Sequence, residues 1–267
     1  MRTSHSPVAL TIAGSDASGG AGIQADLKTF QAHGVYGMSV ITALTAQNTE
    51  GVAGIAAVEP AFVALQIATV AGDIPPDAVK TGMLATRAIV EAVAEAAERH
   101  RFPALVVDPV MVATTGALLL EPDAVQAIRE RLVGRATLLT PNGPEAGALL
   151  ERIVATPADQ EAATRALVRD LGVRAVLLKG GDLEGDEIVD VYWDGATWEV
   201  FRSPRLATTS THGSGCALAA AITARLARGE PLHAAVAASR AWVRRAIETA
   251  PRLGRGRGPL NLLVPAD

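Results

Sequence analysis

Aromatic residues are scarce: only 3% of the 267 residues carry such a ring, while alanine is abundant. Helices built this way pack thinly, and the bias says nothing about chemistry. The chain has one cysteine, Cys216, which excludes an internal disulfide and predicts a reducing compartment. Positive charge is not in excess: 24 Lys and Arg face 28 Asp and Glu, a net charge of −4. No basic field therefore points to nucleic acid or an anionic membrane as partner. The N-terminal stretch lacks the apolar run of a signal peptide. Apolar runs such as "LVVDPVMVA" are short and broken by Asp or Pro, so no membrane span is expected. The Walker pattern G-x-x-x-x-G-K-[ST] is missing throughout. An anionic ligand must then be held by local devices: helix N-termini, backbone amides and single Lys or Arg residues.

What is present is a large apolar fraction, 49%, ample for a sizeable core. Short β-rich runs alternate with alanine-rich amphipathic segments. Strands are expected at Val8–Ala13, Ser39–Ala43, Ala78–Thr81, Leu105–Asp108, Thr137–Thr140 and Ala175–Lys179. Helices are expected near Gly22–His33, Ala61–Ala71, Arg87–His100, Asp123–Leu132, Glu145–Leu150 and Asp159–Leu171. Several of the strands are nearly all apolar, as when both faces are covered, and the alternation of strands with helices predicts a three-layer α/β domain with a mostly parallel sheet. "EIVDVYWDGATWEVF" reads as a hairpin around Asp194-Gly195. Two helices follow, near Gly215–Arg228 and Leu232–Thr249, then a Gly- and Arg-rich tail expected to be a solvated loop and a terminal segment laid on the body. With no linker, repeat or low-complexity tract, residues 1–267 are expected to form one domain.

In such sheets ligands sit beyond the carboxyl ends of the strands. Polar residues and glycines gather there: Gly14-Ser15-Asp16, Asp108, Thr140-Pro141-Asn142 and Lys179-Gly180-Gly181. "GSDASGGAGIQAD" nearly contains a dinucleotide fingerprint, but the acidic residue expected about 20 positions later is missing. A nicotinamide-dependent oxidoreductase is therefore disfavoured. "THGSGC", Thr211–Cys216, opens a helix. It reads equally as an anion nest of successive amides or as a Gly-rich loop capped by Ser214, with Cys216 a small buried residue.

"ALTIAGSDASGGAGIQADLKTF", "SVITALTAQNT", "KTGML", "VVDPVM", "LLTPNGPEA", "LLKGG" and "THGSGC" occur in this order. Together, from Ala9 to about Trp242, the chain resembles bacterial hydroxymethylpyrimidine/phosphomethylpyrimidine kinases of thiamine biosynthesis, in the ribokinase superfamily. The resemblance implies a ribokinase-like α/β/α fold and an ATP- and Mg²⁺-dependent enzyme. Its expected substrate is 4-amino-5-hydroxymethyl-2-methylpyrimidine, phosphorylated to the monophosphate and then to the pyrophosphate. It implies a cytoplasmic homodimer with small-molecule ligands only. Pyridoxal kinases are close relatives, so pyridoxal or another small alcohol is the alternative substrate; a non-catalytic nucleotide-binding regulator is a more distant one.

Carried over by the resemblance, the pyrimidine pocket would use Gly14, Asp26, Gln47, Met83 and Val110. Gln47 offers a donor and an acceptor in one plane, matching an aminopyrimidine edge; read alone it is a solvated loop amide, and Met83 ordinary core. Asp108 and Glu145 would organise Mg²⁺, partly through water. Lys179 and Asn142 would serve the nucleotide, and adenine would lie against roughly Arg205 to Trp242. Glu145 also reads as a helix first-turn carboxylate. The amides of Gly213, Ser214, Gly215 and Cys216 would hold the moving phosphoryl group. Cys216 stands where sugar kinases of the superfamily carry an Asp base; a thiol pKa of roughly 8.5, lowered at a helix start, would make it a thiolate base for the first step. The sequence departs from the family at Ser210, where Asn is common, and at Gly143, where a bulkier apolar residue is usual.

Overall fold

The computed structural model describes residues 6–113 and 116–266. Eight strands form one sheet in the order β10-β9-β8-β7-β6-β5-β1-β2. They are β1 (Val8–Ala13), β2 (Tyr36–Ile41), β5 (Ala78–Thr81), β6 (Leu105–Val107), β7 (Leu138–Leu139), β8 (Val176–Leu178), β9 (Glu187–Trp193) and β10 (Trp198–Pro204). β1, β2, β5, β6, β7 and β8 run parallel; β9 and β10 pair antiparallel. The predicted hairpin is β9–β10, with Gly195 at φ +88° in its turn, where a side chain would be strained.

The strand period of two decides which residues go to which face. Leu10, Ile12, Val79, Leu105, Val107, Leu139, Val176 and Leu178 enter one core. That core is closed by α2 (Pro60–Asp73), α3 (Arg87–His100), α4 (Pro122–Ala127), α5 (Gly143–Leu150) and α6 (Pro157–Leu171). Their neighbours Val106, Leu138, Ala175 and Leu177 point the other way. They meet α7 (Ser214–Ala227) and α8 (Leu232–Glu248), with α1 (Gly22–Ala32) packed beside α7. Both faces of the sheet are therefore dry, which is why the strands read as unbroken apolar runs. Alanine is the common interface residue on α7: Ala217, Ala219, Ala220, Ala221 and Ala224 are all fully buried, so this helix lies close against the sheet.

Two expectations need correction. Ser39–Ala43 is not one strand. The chain leaves the sheet at Thr42, whose N–H donates to Ala13 O and whose hydroxyl donates to Met83 O at 2.6 Å. It then forms a separate two-stranded sheet, β3 (Ala43–Gln47) with β4 (Val52–Ala57). The turn between them is held by Asn48, whose side-chain oxygen accepts from the N–H groups of Glu50 and Gly51. The segment expected as one helix over Asp123–Leu132 is α4 for only six residues, then widens into a π turn at Ile128–Leu132. Among the described residues no helix is long and apolar enough to cross a membrane.

Candidate active site

Parallel strands place all their carboxyl ends on one edge. Gly14, Met83, Asp108, Thr140 and Lys179 follow β1, β5, β6, β7 and β8 there, and the start of α7 meets them. Gly215 locates the contact: a methyl group on it would lie 3.3 Å from Lys179 Nζ and 3.9 Å from Asp108 Oδ2. Asp108 Oδ1 accepts from Lys179 Nζ at 3.0 Å and from the Thr140 hydroxyl at 3.0 Å. Lys179 Nζ also lies 3.8 Å from Glu145 Oε2. One ammonium thus sits between two buried carboxylates. Burial alone would lower the Lys179 pKa, but Asp108 and Glu145 hold it above the ordinary lysine value. Burial pushes Glu145 up to about 7 against the pull of Lys179, and Asp108 adds to the rise.

Glu145 takes the helix first-turn role read for it. Its Oε2 accepts from the Asn142 N–H at 2.8 Å, and Asn142 Oδ1 accepts from the Glu145 N–H at 2.8 Å, a capping box that starts α5. The acceptor of Asn142 is therefore used inside the protein; only its amide N–H₂ is left to meet a ligand. Gly143 suits this turn, since a methyl group there would come within 3.1 Å of Val154 O.

In "THGSGC" the expected Ser214 cap is not formed. The N-cap of α7 is Gly213, at φ +80°, and no side chain caps the helix, Ser214 included. Ser214 N–H donates to Thr211 O and Ala217 N–H to Gly213 O. The amides of Gly215 and Cys216 fall between these two, among the orphan donors that every helix start leaves. The start of α7 lies against Lys179 and Asp108, and the positive end of a helix dipole favours negative charge.

The Cys216 thiol, half-buried at the start of α7, is not lowered in the way expected of a helix start. Burial raises its thiol, the Asp26 and Asp108 carboxylates raise it further, and the pull of Lys80 and of the Gly22 N–H does not offset them. The result is a thiol pushed up to about 11, neutral at pH 7 despite its place at a helix start.

On the pyrimidine side, Gly14 leaves room for Met83: a methyl group on it would come within 2.9 Å of the Met83 sulfur. The Thr45 hydroxyl donates to Ser15 O at 2.8 Å and lies 3.1 Å from Gln47 Oε1, tying the end of β3 to the loop after β1. Val110 N–H donates to the backbone carbonyl of Asp108, a tight turn just after β6. Asp26 is different. It has no exposed surface, and it accepts from Lys80 Nζ at 2.8 and 2.9 Å and from the Thr11 hydroxyl at 2.6 Å. It is half of a buried ion pair, with no surface exposed to a substrate in this arrangement. Burial pushes Asp26 up and Lys80 opposes this; burial lowers Lys80, and Asp26, Cys216 and Asp108 more than reverse that.

The residue reading missed Lys80, Asp16 and His212 as working groups. A lysine inside the buried strand "AVKT" was the available signal, since such a charge needs a partner. A cavity of about 680 Å³ opens beside the nest, lined by Leu206–Ser210 and by Ile247, Arg252, Leu253 and Gly258 among others. It overlaps the region expected for adenine and extends it to the Gly- and Arg-rich tail.

Residues 16–261 match the family model described as phosphomethylpyrimidine kinase. The chain belongs to the phosphomethylpyrimidine kinase family. It is 47% identical to the hydroxymethylpyrimidine/phosphomethylpyrimidine kinase of Synechococcus elongatus, over 97% of this chain and 98% of that one. It is 50% identical to a thiamine biosynthesis bifunctional protein of Geobacter sulfurreducens; there it covers 97% of itself but spans about half, 52%, of the relative. Among solved structures, an ADP complex of Bacillus subtilis pyridoxal kinase superposes with a TM-score of 0.88 at 39% identity, covering 96% of this chain and 97% of that one. The expected ribokinase-like α/β/α fold is thus what this phosphomethylpyrimidine kinase family member has.

Proposed function

We propose that this protein transfers the γ-phosphoryl group of ATP to the hydroxymethyl oxygen of 4-amino-5-hydroxymethyl-2-methylpyrimidine, and then a second one to the monophosphate. The observation that carries the reading is the convergence of an uncapped helix start, a half-buried lysine and two buried carboxylates on one strand edge. Phosphoryl transfer asks for positioning and charge neutralisation more than covalent chemistry, and this edge supplies both. The orphan amides of Gly215 and Cys216 hold the moving group; that of Ser214, expected to share in this, donates instead to Thr211 O. Lys179 faces the phosphates as a point charge. Gly14, Met83, Val110 and Gln47 form the wall for the pyrimidine, and Gln47 reads its amine and ring nitrogen.

Among the described residues no three His, Cys, Asp or Glu side chains converge as an all-protein metal cage. Asp108 and Glu145 are two hard oxygen donors, which fits Mg²⁺, an ion that keeps water and takes phosphate oxygens. Bound there with ATP, Mg²⁺ would supply charge neutralisation on the phosphates. Lys179, now between the two carboxylates, would then turn towards the nucleotide.

The neutral thiol suits the second step. Its nucleophile is a phosphate monoester with a second pKa of about 6, already deprotonated and repelled by any fixed negative charge. A carboxylate at position 216 would oppose it; a thiol does not. Pyridoxal is the alternative acceptor, favoured by the likeness to a pyridoxal kinase. A coupled ADP-release assay with hydroxymethylpyrimidine, its monophosphate and pyridoxal tests the reading. Two phosphates transferred to the pyrimidine are expected; transfer to pyridoxal alone would overturn it.

A further inference from the structure

Two glycine-rich segments, about two hundred residues apart in sequence, are locked together by a single carboxylate. Asp16 Oδ2 accepts from His212 Nε2 at 2.8 Å, from Ala21 N–H at 2.8 Å and from Gly20 N–H at 3.1 Å. Asp16 Oδ1 accepts from the Ser18 N–H at 2.9 Å and the Ser18 hydroxyl at 2.8 Å. Both groups are buried, Asp16 at 1% and His212 at 2% exposure. Bonds to the charged form hold Asp16 ionised: burial raises its pKa, but His212 and Ser18 outweigh this and pull it to about 2.

The surroundings leave no slack. A methyl group on Gly20 would lie 2.6 Å from His212 Cδ2, and one on Gly213 would overlap Gly20 O. The His212 N–H donates to Gly258 O, fixing the tail as well. His212 Nδ1 is buried with no partner among the described residues. Accepting Nε2–H fixes Nε2 as the protonated nitrogen beside the carboxylate. Asp16 also occupies the start of α1, where Gly20 and Ala21 offer their amides. Of the three helix starts at this edge, α1 is met by Asp16 and α5 by its own capping box, and that of α7 has no side-chain cap.

Building on the kinase reading above, we propose that Asp16 and His212 are positioning residues that fix the substrate-side loop, Gly14–Gly22, at one separation from the phosphoryl-holding loop, Thr211–Cys216. Neither side chain need touch a reacting atom. His212 adjoins Gly213, the N-cap of the nest, while Asp16 lies two residues from Gly14 in the pyrimidine wall. The pair therefore sets how far the acceptor oxygen stands from the γ-phosphoryl group. A misplacement of about 1 Å in such a geometry costs about a hundredfold in rate.

The test uses the full chain with ATP, Mg²⁺ and whichever of hydroxymethylpyrimidine or pyridoxal the unaltered protein phosphorylates. That control alone decides the substrate, so an error there stays separate from an error here. His212→Phe keeps ring volume and deletes the bond; His212→Gln keeps a donor; Asp16→Asn removes the charge. For His212→Phe, kcat should fall about a hundredfold, with KM for both substrates within about threefold and a larger share of ATP lost to water. His212→Gln should recover about tenfold, and His212→Phe combined with Asp16→Asn should be no worse than either alone. If His212→Phe does not fold, His212→Gln against Asp16→Asn carries the same comparison, with Asp16→Asn the slower. A folded variant with a lowered Tm but unchanged kcat, a loss carried wholly by KM, or no difference between the Phe and Gln variants would overturn the proposal.

Discussion

Lys80→Met is the sharpest test of how this site is supported. Lys80 and Asp26 have no exposed side-chain surface and meet at 2.8 Å. Gly82 leaves the room, since a methyl group on it would lie 3.0 Å from Lys80 Nζ. Methionine fills nearly the volume of the lysine stem, so little cavity energy enters. What remains is a buried carboxylate with the Thr11 hydroxyl as its surviving partner. Removing one member of a buried pair costs about 3–5 kcal/mol. At about 2–4 °C per kcal/mol for chains near this size, Tm should fall by roughly 10 °C. The deficit should shrink as pH is lowered towards the ordinary carboxylate range, because a proton then replaces the ammonium. Replacing both residues, Lys80→Met with Asp26→Leu, should regain most of the loss, since a well-packed apolar pair avoids the unpaired charge. Calorimetric melting of the unaltered chain, Lys80→Met, Asp26→Leu and the double variant decides it. A single variant melting within about 2 °C of the unaltered chain, or a double variant that loses the sum of the singles, would refute the ion-pair account.

Other outcomes follow from the same geometry. With Cys216 near 11, the first phosphorylation should speed up with pH through the alkaline range, while the second stays flat above about pH 7. Cys216→Ala should abolish that slope. Cys216→Asp adds a charge beside Asp26 and Asp108; at about 4 Å this opposes the phosphate by about 4 kcal/mol, so the second step should lose far more than the first, and equal losses would sink the idea. Gly213→Ala must take φ near +80° and overlap Gly20 O, costing more than about 2 kcal/mol; an unchanged denaturation midpoint would contradict it. The folded pKa of Asp16 lies near 2, below an unfolded value of about 3.9. It therefore contributes roughly 2 kcal/mol at neutral pH, lost as pH falls from about 4 to 2. Stability curves of the unaltered chain and Asp16→Asn should converge over that interval; parallel curves would count against it.

Much was legible without coordinates. Short, nearly unbroken apolar runs and amphipathic alanine-rich segments specify strands and helices locally, so β1, β5 and α3 begin and end where their residues predict. The order of strands and helices implies a parallel sheet, and a parallel sheet puts Gly14, Asp108, Asn142 and Lys179 on one edge. The β3–β4 sheet was not legible, because Thr42 leaves the main sheet through bonds to Ala13 and Met83, distant in sequence.

The sequence by itself determined the element pattern, the ligand-bearing edge and the residue types offered there, since these follow from local propensity and chain order. Only the tertiary structure decided how those residues are used. It turned Asp26 inward to Lys80, gave the acceptor of Asn142 to a helix cap, left the start of α7 uncapped and set the charge of Cys216. Each of these depends on burial and on partners brought from far along the chain. Neither a desolvation penalty nor a hydrogen bond across 196 residues, such as His212 to Asp16, is written in any local stretch of sequence.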